Sequence, residues 1–542
     1  MKKDTEKIFL STIILVLFVF LSSAGFSAEA EQPALEDSPG MVMAQQAEKG
    51  KTTWSTTDHS KHKILNQDFT SGSDITKACL SCHSEADDQI HKTVHWTWLA
   101  GEPVNGKQYG KGADSVNNFC ISANNMNDKG CVSCHIGWSG KDDQINCLVC
   151  HGQNNVKWKE TFDDLTYFHK EGDPESLEMA QELQGELRKA VVSIARPTRQ
   201  NCGSCHFYGG GGDGVKHGDL DSSLTKPSKN LDVHMGIDGK DFACTRCHTT
   251  ELHNISGRIY TAPAYTDRKS LLENDQASRI TCESCHGSRP HKSGLKENDH
   301  TDRVACQSCH IPEFARVNPT KMKWDWSKAG KTKDGKPYTT EDQYGQHNYM
   351  SIKGEMKWEK NVKPQYYWYN GSLRSLTTKD IIDPTKTVYV SKPTGKREEP
   401  NARIYPFKVH EGVQPYDKIH KTLLAPLLSG DDGFFTKMDF QLAFNKGMAF
   451  SGVPYSGQFD FVNTKYFFPT THMVAPKSDV VSCNECHTRN NSRLANLTGF
   501  YMPGRDRFTL LCQVGWLIIA LSAVGVLLHG AGRIFFSGKR KE

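Results

Sequence analysis

Sixteen of the 18 cysteines form Cys-x-x-Cys pairs, and a histidine directly follows every pair. The eight pairs are Cys79/Cys82, Cys131/Cys134, Cys147/Cys150, Cys202/Cys205, Cys244/Cys247, Cys282/Cys285, Cys306/Cys309 and Cys483/Cys486. The histidines that follow them are His83, His135, His151, His206, His248, His286, His310 and His487. The chain therefore repeats one chemical unit, two thiols and an adjacent imidazole, at eight positions.

This spacing is typical of covalent attachment of haem c. The two thiols reach the two vinyl groups on one edge of the porphyrin, and the adjacent imidazole binds iron as the proximal ligand. Disulfides and zinc ribbons also use paired cysteines, but neither requires a histidine after every pair. Histidine is 23 of 542 residues, so eight chance followers have a probability on the order of 10⁻¹¹. We therefore expect eight covalent haem c groups.

A haem iron with two histidine ligands also needs a distal histidine from elsewhere in the chain. The best candidates lie near an attachment motif or among aromatic and small residues. We predict distal ligands among His59, His95, His169, His234, His253, His291 and His472. For each of them a surface or core position is the alternative, and the sequence does not indicate which histidine serves which haem.

The attachment motifs also organise the chain. Residues 76–310 hold seven motifs and residues 481–505 hold the eighth, while residues 311–480 have none and are rich in Trp and Tyr. Only 37% of the residues are apolar, which is a small supply of core for a chain of this length. We expect a mainly α fold with much irregular structure, built around a packed haem array, with the aromatic-rich segment packed on it. Glu175–Val192 is the clearest amphipathic helix.

Apolar segments near both ends indicate export and membrane attachment. Residues 1–30 resemble a signal peptide, with an uncleaved anchor as the alternative, and residues 31–75 are polar. Residues 508–528 carry no charge and are long enough to cross a bilayer. The basic tail, residues 529–542, places the C-terminus in the cytoplasm and the haem domain in the periplasm. His529 could bind a haem b with a partner subunit, but an interfacial position is the expected one.

Several segments resemble the octahaem tetrathionate reductase family of c-type cytochromes. They are Asp58–Lys61, His95–Trp98, Asn118–Ile121, the block NCGSCHFYGGGGDGVKHGDLD at Asn201–Asp221, and the stretches CQSCHIPEFAR and PTKMKWDWSKAGK. The resemblance extends from about residue 54 to about residue 490 and does not include the C-terminal apolar segment.

The resemblance implies that one haem is catalytic and has a lysine as its distal ligand. This is the haem at Cys131 and Cys134, with Lys216 as the lysine, and with Asp213 and Cys120 in the same pocket. The residues are compatible with this, because the glycines at 209–212 allow close approach to a flat ring and burial favours a neutral amine. From the residues alone, a mobile loop with a solvated lysine is the alternative for Lys216. For Cys120 it is a small buried thiol.

The resemblance further implies a reductase that cleaves tetrathionate to thiosulfate and could extend to nitrite or hydroxylamine. Its partners would be a small sulfur or nitrogen oxyanion and an electron donor, either a quinol-linked membrane cytochrome or a soluble cytochrome. One alternative is an octahaem hydroxylamine or hydrazine oxidoreductase, which would have a tyrosine crosslinked to a haem. Another is a membrane-anchored electron carrier without catalysis. The formal net charge of +4 gives no indication of nucleic-acid binding, and a homo-oligomer is compatible with the sequence.

Overall fold

The computed structural model describes residues 57–537 except 101–102, 104, 117–133, 139–143, 154–155, 157 and 258–280. The expected signal peptide and the last five residues of the basic tail lie outside the described residues, as do Cys120 and Cys131.

Most of the described α-helices are short, and several are formed by the attachment motifs themselves. They are α1 (Gly72–Leu80), α2 (Ala86–Ile90), α3 (Val94–Thr97), α4 (Cys147–His151), α5 (Trp158–Glu171), α6 (Pro174–Val192), α7 (Arg199–His206), α8 (Cys282–His286), α9 (Glu297–His300), α10 (Gln307–His310), α11 (Phe434–Lys437), α12 (Phe440–Ser451), α13 (Cys483–Cys486) and α14 (Thr509–Ser537). Residues i, i+3 and i+4 lie on one face of a helix. A helical motif therefore presents both cysteines and its histidine on the same side.

The predicted amphipathic helix is confirmed as α6. Asp173 caps it by accepting hydrogen bonds from the backbone N–H groups of Glu175 and Ser176, and a proline occupies the first turn, where no N–H is needed. Leu187 and Val191 are fully buried in the cluster formed with α1 and α5. The burial of this apolar stripe, more than helix propensity, stabilises the helix.

The strands are mostly in the segment without attachment motifs. They are β1 (Thr250–Glu251), β2 (Asn254–Ile255), β3 (Thr320–Asp325), β4 (Thr332–Lys333), β5 (Lys336–Pro337), β6 (Thr339–Glu341), β7 (His347–Met350), β8 (Gly354–Glu359), β9 (Gln365–Tyr369), β10 (Leu373–Ser375), β11 (Val388–Tyr389), β12 (Ser391–Pro393), β13 (Arg403–Asp417) and β14 (Phe459–Pro469). Eight of them form one sheet with the order β11-β14-β13-β3-β8-β7-β6, and β9 also pairs with β13.

The expectation of a mainly α fold is therefore not confirmed. β13 pairs with β14 in antiparallel register from Phe407/Pro469 to Asp417/Phe459, and it pairs with β3 in parallel. The physical reason is the composition of this segment, in which aromatic and β-branched residues are frequent and fit a pleated, buried surface. Its tryptophans form part of the core of the sheet, where the rings of Trp324 and Trp326 stack with their centres 4.9 Å apart.

Strand β13 is covered on both faces, because consecutive residues along its middle are all buried. Phe407 and Val409 pack in an aromatic cluster on one side. Lys408 and His410, which alternate with them, point to the other side and are also fully buried. One face of the central strand is therefore apolar, and the other presents the buried side chains of Lys408 and His410. The second face supports the candidate site.

Residues Cys282–Asp299 form a small unit of their own, which contains α8. Within it, the Asn298 side chain accepts a hydrogen bond of 3.0 Å from the backbone N–H of His291 and donates one of 2.9 Å to the His291 carbonyl. These bonds hold the residues that follow the sixth attachment motif.

At the C-terminus, α14 is long and apolar enough to cross a membrane, by its length and composition. Its apolar side chains are exposed, for example Leu510 and Trp516, which are each 72% exposed. Exposed apolar surface on this scale is costly in water and is stabilised in lipid.

Candidate haem sites and the Lys216 turn

The attachment cysteines of different motifs lie side by side. Side chains are in contact between Cys79 and Cys147 and between Cys202 and Cys244. The Cys205 Sγ lies 4.0 Å from the Cys134 carbonyl oxygen. These contacts join the first motif to the third, the fourth to the fifth, and the second to the fourth. The porphyrin edges bound at these cysteines would therefore be near neighbours.

The described attachment cysteines are exposed or only partly buried by the protein itself, and Cys82, Cys247 and Cys483 are the exposed ones. Cys82 is exposed, because α1 ends at Leu80 and leaves it on a turn at the surface. Cys285 in α8 and Cys309 in α10 are only partly buried. The short one-turn helices that carry them bury less surface than a long helix such as α6. For each motif cysteine the individual role in haem attachment stays a prediction.

The backbone at these motifs is nevertheless compatible with attachment. The Cys82 N–H donates to the Cys79 carbonyl and the Cys309 N–H donates to the Cys306 carbonyl, both at 3.2 Å. A helical turn thus joins the two cysteines within each motif. In the third motif the second cysteine is more enclosed, and burial raises the pKa of the Cys150 thiol.

Five motif histidines each lie opposite a second histidine at a nearly constant distance. The ring centres are 6.4 Å apart for His83/His59, 6.1 Å for His206/His95, 6.4 Å for His151/His253, 6.4 Å for His248/His472 and 6.1 Å for His487/His300. A histidine nitrogen binds a metal at about 2 Å and its ring centre is about 1 Å farther, so two rings on opposite sides of one iron are about 6 Å apart. The spacing in each pair fits one haem iron between the rings.

Hydrogen bonds orient three of the proximal rings for this role. The Nδ1–H of His151 donates to the Ala195 carbonyl at 3.1 Å, that of His248 to the Ser256 carbonyl at 2.9 Å, and that of His487 to the Pro503 carbonyl at 2.8 Å. A carbonyl can only accept, so Nδ1 carries the proton and Nε2 is left as the metal-binding nitrogen.

Two distal rings are oriented in the same way. His253 Nδ1 lies 2.7 Å from Gln89 Oε1, and His472 Nδ1 lies 3.1 Å from Asp219 Oδ2. Partners of this kind fix the tautomer of a metal-binding histidine and raise its basicity. The residues of these pairs therefore fit haem c, with the motif histidine on one face and the second histidine on the other.

Of the seven predicted distal ligands, His59, His95, His253 and His472 lie in such pairs. His169 is exposed in the last turn of α5. His234 stacks on Phe242 with the ring centres 6.2 Å apart, and His291 lies in the small unit. For His169, His234 and His291 the ligand role stays a prediction.

His300 was not among the distal ligands predicted from the sequence. It ends α9, and its ring is nearly parallel to that of His487, at an angle of 19°. Nothing in its local sequence distinguishes it, because the partner motif is almost 200 residues away. Its position between the sixth and seventh motifs was the only available signal.

The second motif has a different local arrangement. The ring of His135 lies between Trp96 and Trp98, with ring centres 4.8 and 5.6 Å away. Its Nε2 is 2.9 Å from the Trp96 carbonyl, while Nδ1 accepts from the Gly137 N–H at 3.3 Å. The Nε2 that would bind iron thus faces the backbone, so His135 fits the proximal role only after its side chain rotates. Cys131 and Cys120 lie outside the described residues.

Lys216 lies in a compact turn, and the backbone of that turn is buried. The neighbouring Val215 is 1% exposed. Gly214 has a φ of +63°, and a Cβ there would lie 3.3 Å from the Cβ of Asp221, so glycine suits this position. A Cβ on Gly218 would lie 2.3 Å from the ring of Phe314. The Lys216 Nζ itself lies 5.8 Å from the centre of the Phe468 ring.

Two side chains of the sheet hold the carbonyl groups of this turn. Thr320, at the start of β3, donates to the Gly214 carbonyl at 2.6 Å. Lys408, in the middle of β13, donates to the Val215 carbonyl at 2.9 Å and to the Thr320 hydroxyl at 2.5 Å. The face of the sheet that carries Lys408 therefore positions the residues immediately before Lys216.

Asp213 accepts hydrogen bonds that close the turn from the other side. Its carboxylate accepts from the Ser222 N–H at 2.8 Å, from the Ser222 hydroxyl at 2.5 Å and from the Asn318 amide at 3.0 Å. The same amide lies 3.4 Å from Asp221 Oδ1. Asn318 thus brings two carboxylates together, and of these only Asp213 was predicted from the sequence.

The charges around this turn are strongly perturbed. Burial, together with the carboxylates of Asp213 and Asp219, raises the pKa of Asp221 to about 6. Burial would also raise the pKa of Asp219, but the hydrogen bond and positive charge of His472 hold it at about 2. Burial and the neighbouring Lys216 charge lower the pKa of His217 well below its usual range. Perturbed groups of this kind concentrate at functional sites.

Comparisons with known proteins found a family model, a curated relative and a solved structure that are similar to this chain. The model of the family described as "Cytochrome c bacterial" matches residues 321–490, which include the last attachment motif. An uncharacterised protein of Archaeoglobus fulgidus is 24% identical in an alignment of 245 residues, with a coverage of 36% for this chain and 80% for that protein. The crystal structure of octahaem cytochrome c from Shewanella oneidensis is similar with a TM-score of 0.66 and 40% sequence identity, and the match covers 80% of this chain and 94% of that chain.

This chain belongs to the octahaem c-type cytochromes. The identity and the coverage of the solved relative establish this, and they are consistent with the octahaem tetrathionate reductase family indicated by the sequence. As an octahaem cytochrome, the protein carries covalent haem c and is a redox protein. The match also explains why the sheet segment belongs with the attachment motifs, since the family model covers both.

Proposed function

We propose that this octahaem cytochrome binds eight haems and is a membrane-anchored periplasmic reductase. Its catalytic haem would be the one attached at Cys131 and Cys134, with Lys216 as the distal ligand. The substrate would be tetrathionate, cleaved to thiosulfate, and the same site could take nitrite or hydroxylamine.

One observation supports a ligand role for Lys216 over a mobile, solvated side chain. The turn that carries Lys216 is held by Thr320 and Lys408 on its carbonyl groups and by Ser222 and Asn318 through Asp213. Anchoring on both sides fixes the backbone from which the lysine projects. A solvated surface lysine needs no such support, whereas a ligand must be held within a fraction of an ångström.

The side chains of the turn would have separate roles in this proposal. Bound haem iron would supply the electrons and the coordination site for the substrate. Lys216 would occupy that site in the resting protein and provide a cationic group for an oxyanion when displaced. Asp213, linked through Asn318 to Asp221, would be the proton donor to the substrates that consume protons. Reductive cleavage of the tetrathionate S–S bond consumes electrons only.

The membrane anchor in this proposal is α14. Its length suits a bilayer crossing, and the basic residues after it favour the cytoplasmic side. The haem domain would then face the periplasm and receive electrons from a quinol-linked membrane cytochrome or from a soluble cytochrome.

The test uses the full-length holoprotein, reduced and supplied separately with tetrathionate, nitrite and hydroxylamine. We expect Lys216→Ala to abolish turnover and to change one haem signal in the electron paramagnetic resonance (EPR) spectrum. Lys226→Ala, at an exposed lysine ten residues farther along, is the control and should change neither. A spectrum with only bis-histidine signals that Lys216→Ala leaves unchanged would instead indicate an electron carrier.

A further inference from the structure

Asp219 is a buried carboxylate in direct contact with a predicted haem ligand. It is 2% exposed. It accepts hydrogen bonds from the backbone N–H of Thr471 at 2.7 Å and of His472 at 3.0 Å, and its Oδ2 lies 3.1 Å from the His472 ring Nδ1. A carboxylate that accepts three N–H donors is stabilised in its ionised form.

This partner differs from those of the other oriented histidines. His151, His248 and His487 donate to backbone carbonyl groups, and His253 faces the side-chain oxygen of Gln89. All four acceptors are neutral. Of these five oriented rings, His472 has a carboxylate as the hydrogen-bond partner of its Nδ1.

A charged partner changes the electronic properties of a metal-binding imidazole. An ionised acceptor on Nδ1 draws the ring proton towards itself and makes Nε2 a stronger donor to the metal. A more basic axial ligand and a nearby negative charge both stabilise ferric over ferrous iron, which lowers the reduction potential. Burial strengthens the effect, because little water screens the charge.

We propose that Asp219 is a positioning residue that sets the reduction potential of the haem attached at Cys244 and Cys247. Asp219 fixes the His472 tautomer, and its charge lowers this potential below the value that a neutral partner would give. This rests on the proposed binding of eight haems, and within it on the placement of His248 and His472 on opposite sides of one iron.

The position of Asp219 in the chain also connects its haem site to the Lys216 site. Asp219 lies three residues after Lys216 in the same anchored turn, and the Gly218 carbonyl between them accepts from the Ala315 N–H at 2.6 Å. One short segment thus carries the lysine of one haem site and the charged partner of another. A shift of this segment would change the axial environment at both sites.

The experiment compares redox titrations of the full-length holoprotein with Asp219→Asn, which keeps an oxygen acceptor and removes the charge. We expect the potential of one low-spin haem to rise while the others stay in place. His472→Met identifies that haem, because a methionine ligand should raise the potential of the same component further. Asp417→Asn is the control, since Asp417 is a fully buried carboxylate that accepts from the backbone and from Ser456.

Each result bears on the proposal. If the redox titration of Asp219→Asn superimposes on that of the wild type while His472→Met shifts one component, the ligand assignment stands and the proposed role of Asp219 is wrong. If His472→Met shifts no component, the assignment on which the proposal rests is wrong. If Asp417→Asn shifts the same component as Asp219→Asn, the effect is structural and does not arise from the charge. None of these results depends on turnover, so they are separate from the Lys216 test.

Discussion

Lys408 donates a hydrogen bond of 2.9 Å from its Nζ to the Val215 carbonyl, one residue before Lys216. Lys408 is 1% exposed, and burial lowers the pKa of its amine well below the ordinary value of 10.5. A buried lysine at the centre of a sheet is costly unless its donors are used. Here the Lys408 amine donates to a backbone carbonyl of the turn that carries the proposed ligand.

We predict that Lys408→Met releases this turn. Methionine fills a similar volume but cannot donate, so the Val215 carbonyl loses its partner, at a cost of about 1–3 kcal/mol. The Lys216-dependent EPR signal should broaden or change while the bis-histidine signals stay as they are. Lys321→Met is the matched control, because Lys321 is also buried in the sheet but lies over the rings of Trp324 and Trp358. If the EPR spectra of Lys408→Met and Lys321→Met are identical to each other, a positioning role for Lys408 is contradicted.

The depressed pKa of Lys408 also predicts a pH dependence of stability. The unfolded chain binds this proton up to about pH 10.5, whereas the folded chain releases it at lower pH. Between these two values the unfolded state holds more protons, so the stability of the wild type should rise with pH relative to Lys408→Met. Thermal unfolding from pH 7 to pH 10 measures the difference in Tm. A difference that stays constant or falls as pH rises would show that the amine remains charged in the fold.

Asp221 predicts a pH dependence in the acid range. Its pKa is raised from 3.8 to about 6, so the folded state holds a proton that the unfolded state has lost. The corresponding stability is fully present below about pH 3.8 and is lost as pH rises through about 6, a change of about 3 kcal/mol. Asp221→Asn should lack this change. The Tm of the variant should therefore rise relative to the Tm of the wild type between pH 4 and pH 7.

Asp417→Asn provides a control of opposite sign for this measurement. Hydrogen bonds from the backbone N–H groups of Ser456 and His420 lower the pKa of Asp417 although burial opposes them. Its contribution is present at neutral pH and is lost as pH falls. A Tm difference for Asp221→Asn that is independent of pH would contradict a proton held at Asp221.

Asp213 should distinguish the substrates by their need for protons. Nitrite and hydroxylamine reduction consume protons, and a positioned acid contributes about 10²–10⁴-fold to such steps. We expect Asp213→Asn to lower their turnover by roughly that factor and to leave tetrathionate turnover nearly unchanged, as steady-state rates with each substrate would show. Tetrathionate is the internal control in the same preparation. An equal loss with all three substrates would indicate that Asp213 only shapes the turn.

The chemistry of the attachment motifs was readable from the sequence, because haem c requires a local spacing of Cys and His. The distal histidines and the side chains that orient them were not readable from the sequence, because they are brought together by contacts between residues far apart in the chain. Asp219 and His472 are 253 residues apart, and Lys408 lies 193 residues from Val215. The sheet was missed because β13 is buried on both faces and contains Lys408 and His410, so it lacks the alternation of apolar and polar residues that indicates a half-buried strand.

His300 and His169 provide a direct test of structure against sequence. The sequence favoured His169, whereas the structure places His300 with its ring centre 6.1 Å from that of His487. We expect His300→Ala to convert one low-spin haem to a high-spin form, because its iron loses an axial ligand. His169→Ala, at an exposed position of α5, should leave the spectrum unchanged. The reverse result would show that His487 has another partner.

Removal of α14 should release the protein from the membrane. A chain that ends at Phe508 loses the helix Thr509–Ser537, whose apolar side chains are exposed. We expect it to move from the membrane fraction to the soluble periplasmic fraction with its haem content and turnover intact. A chain that ends at Ser537 keeps the helix and is the matched control. If the shorter chain stays in the membrane fraction, another segment anchors it. The first candidate is the segment of residues 1–30, which would cross the bilayer through its apolar stretch if it is not cleaved.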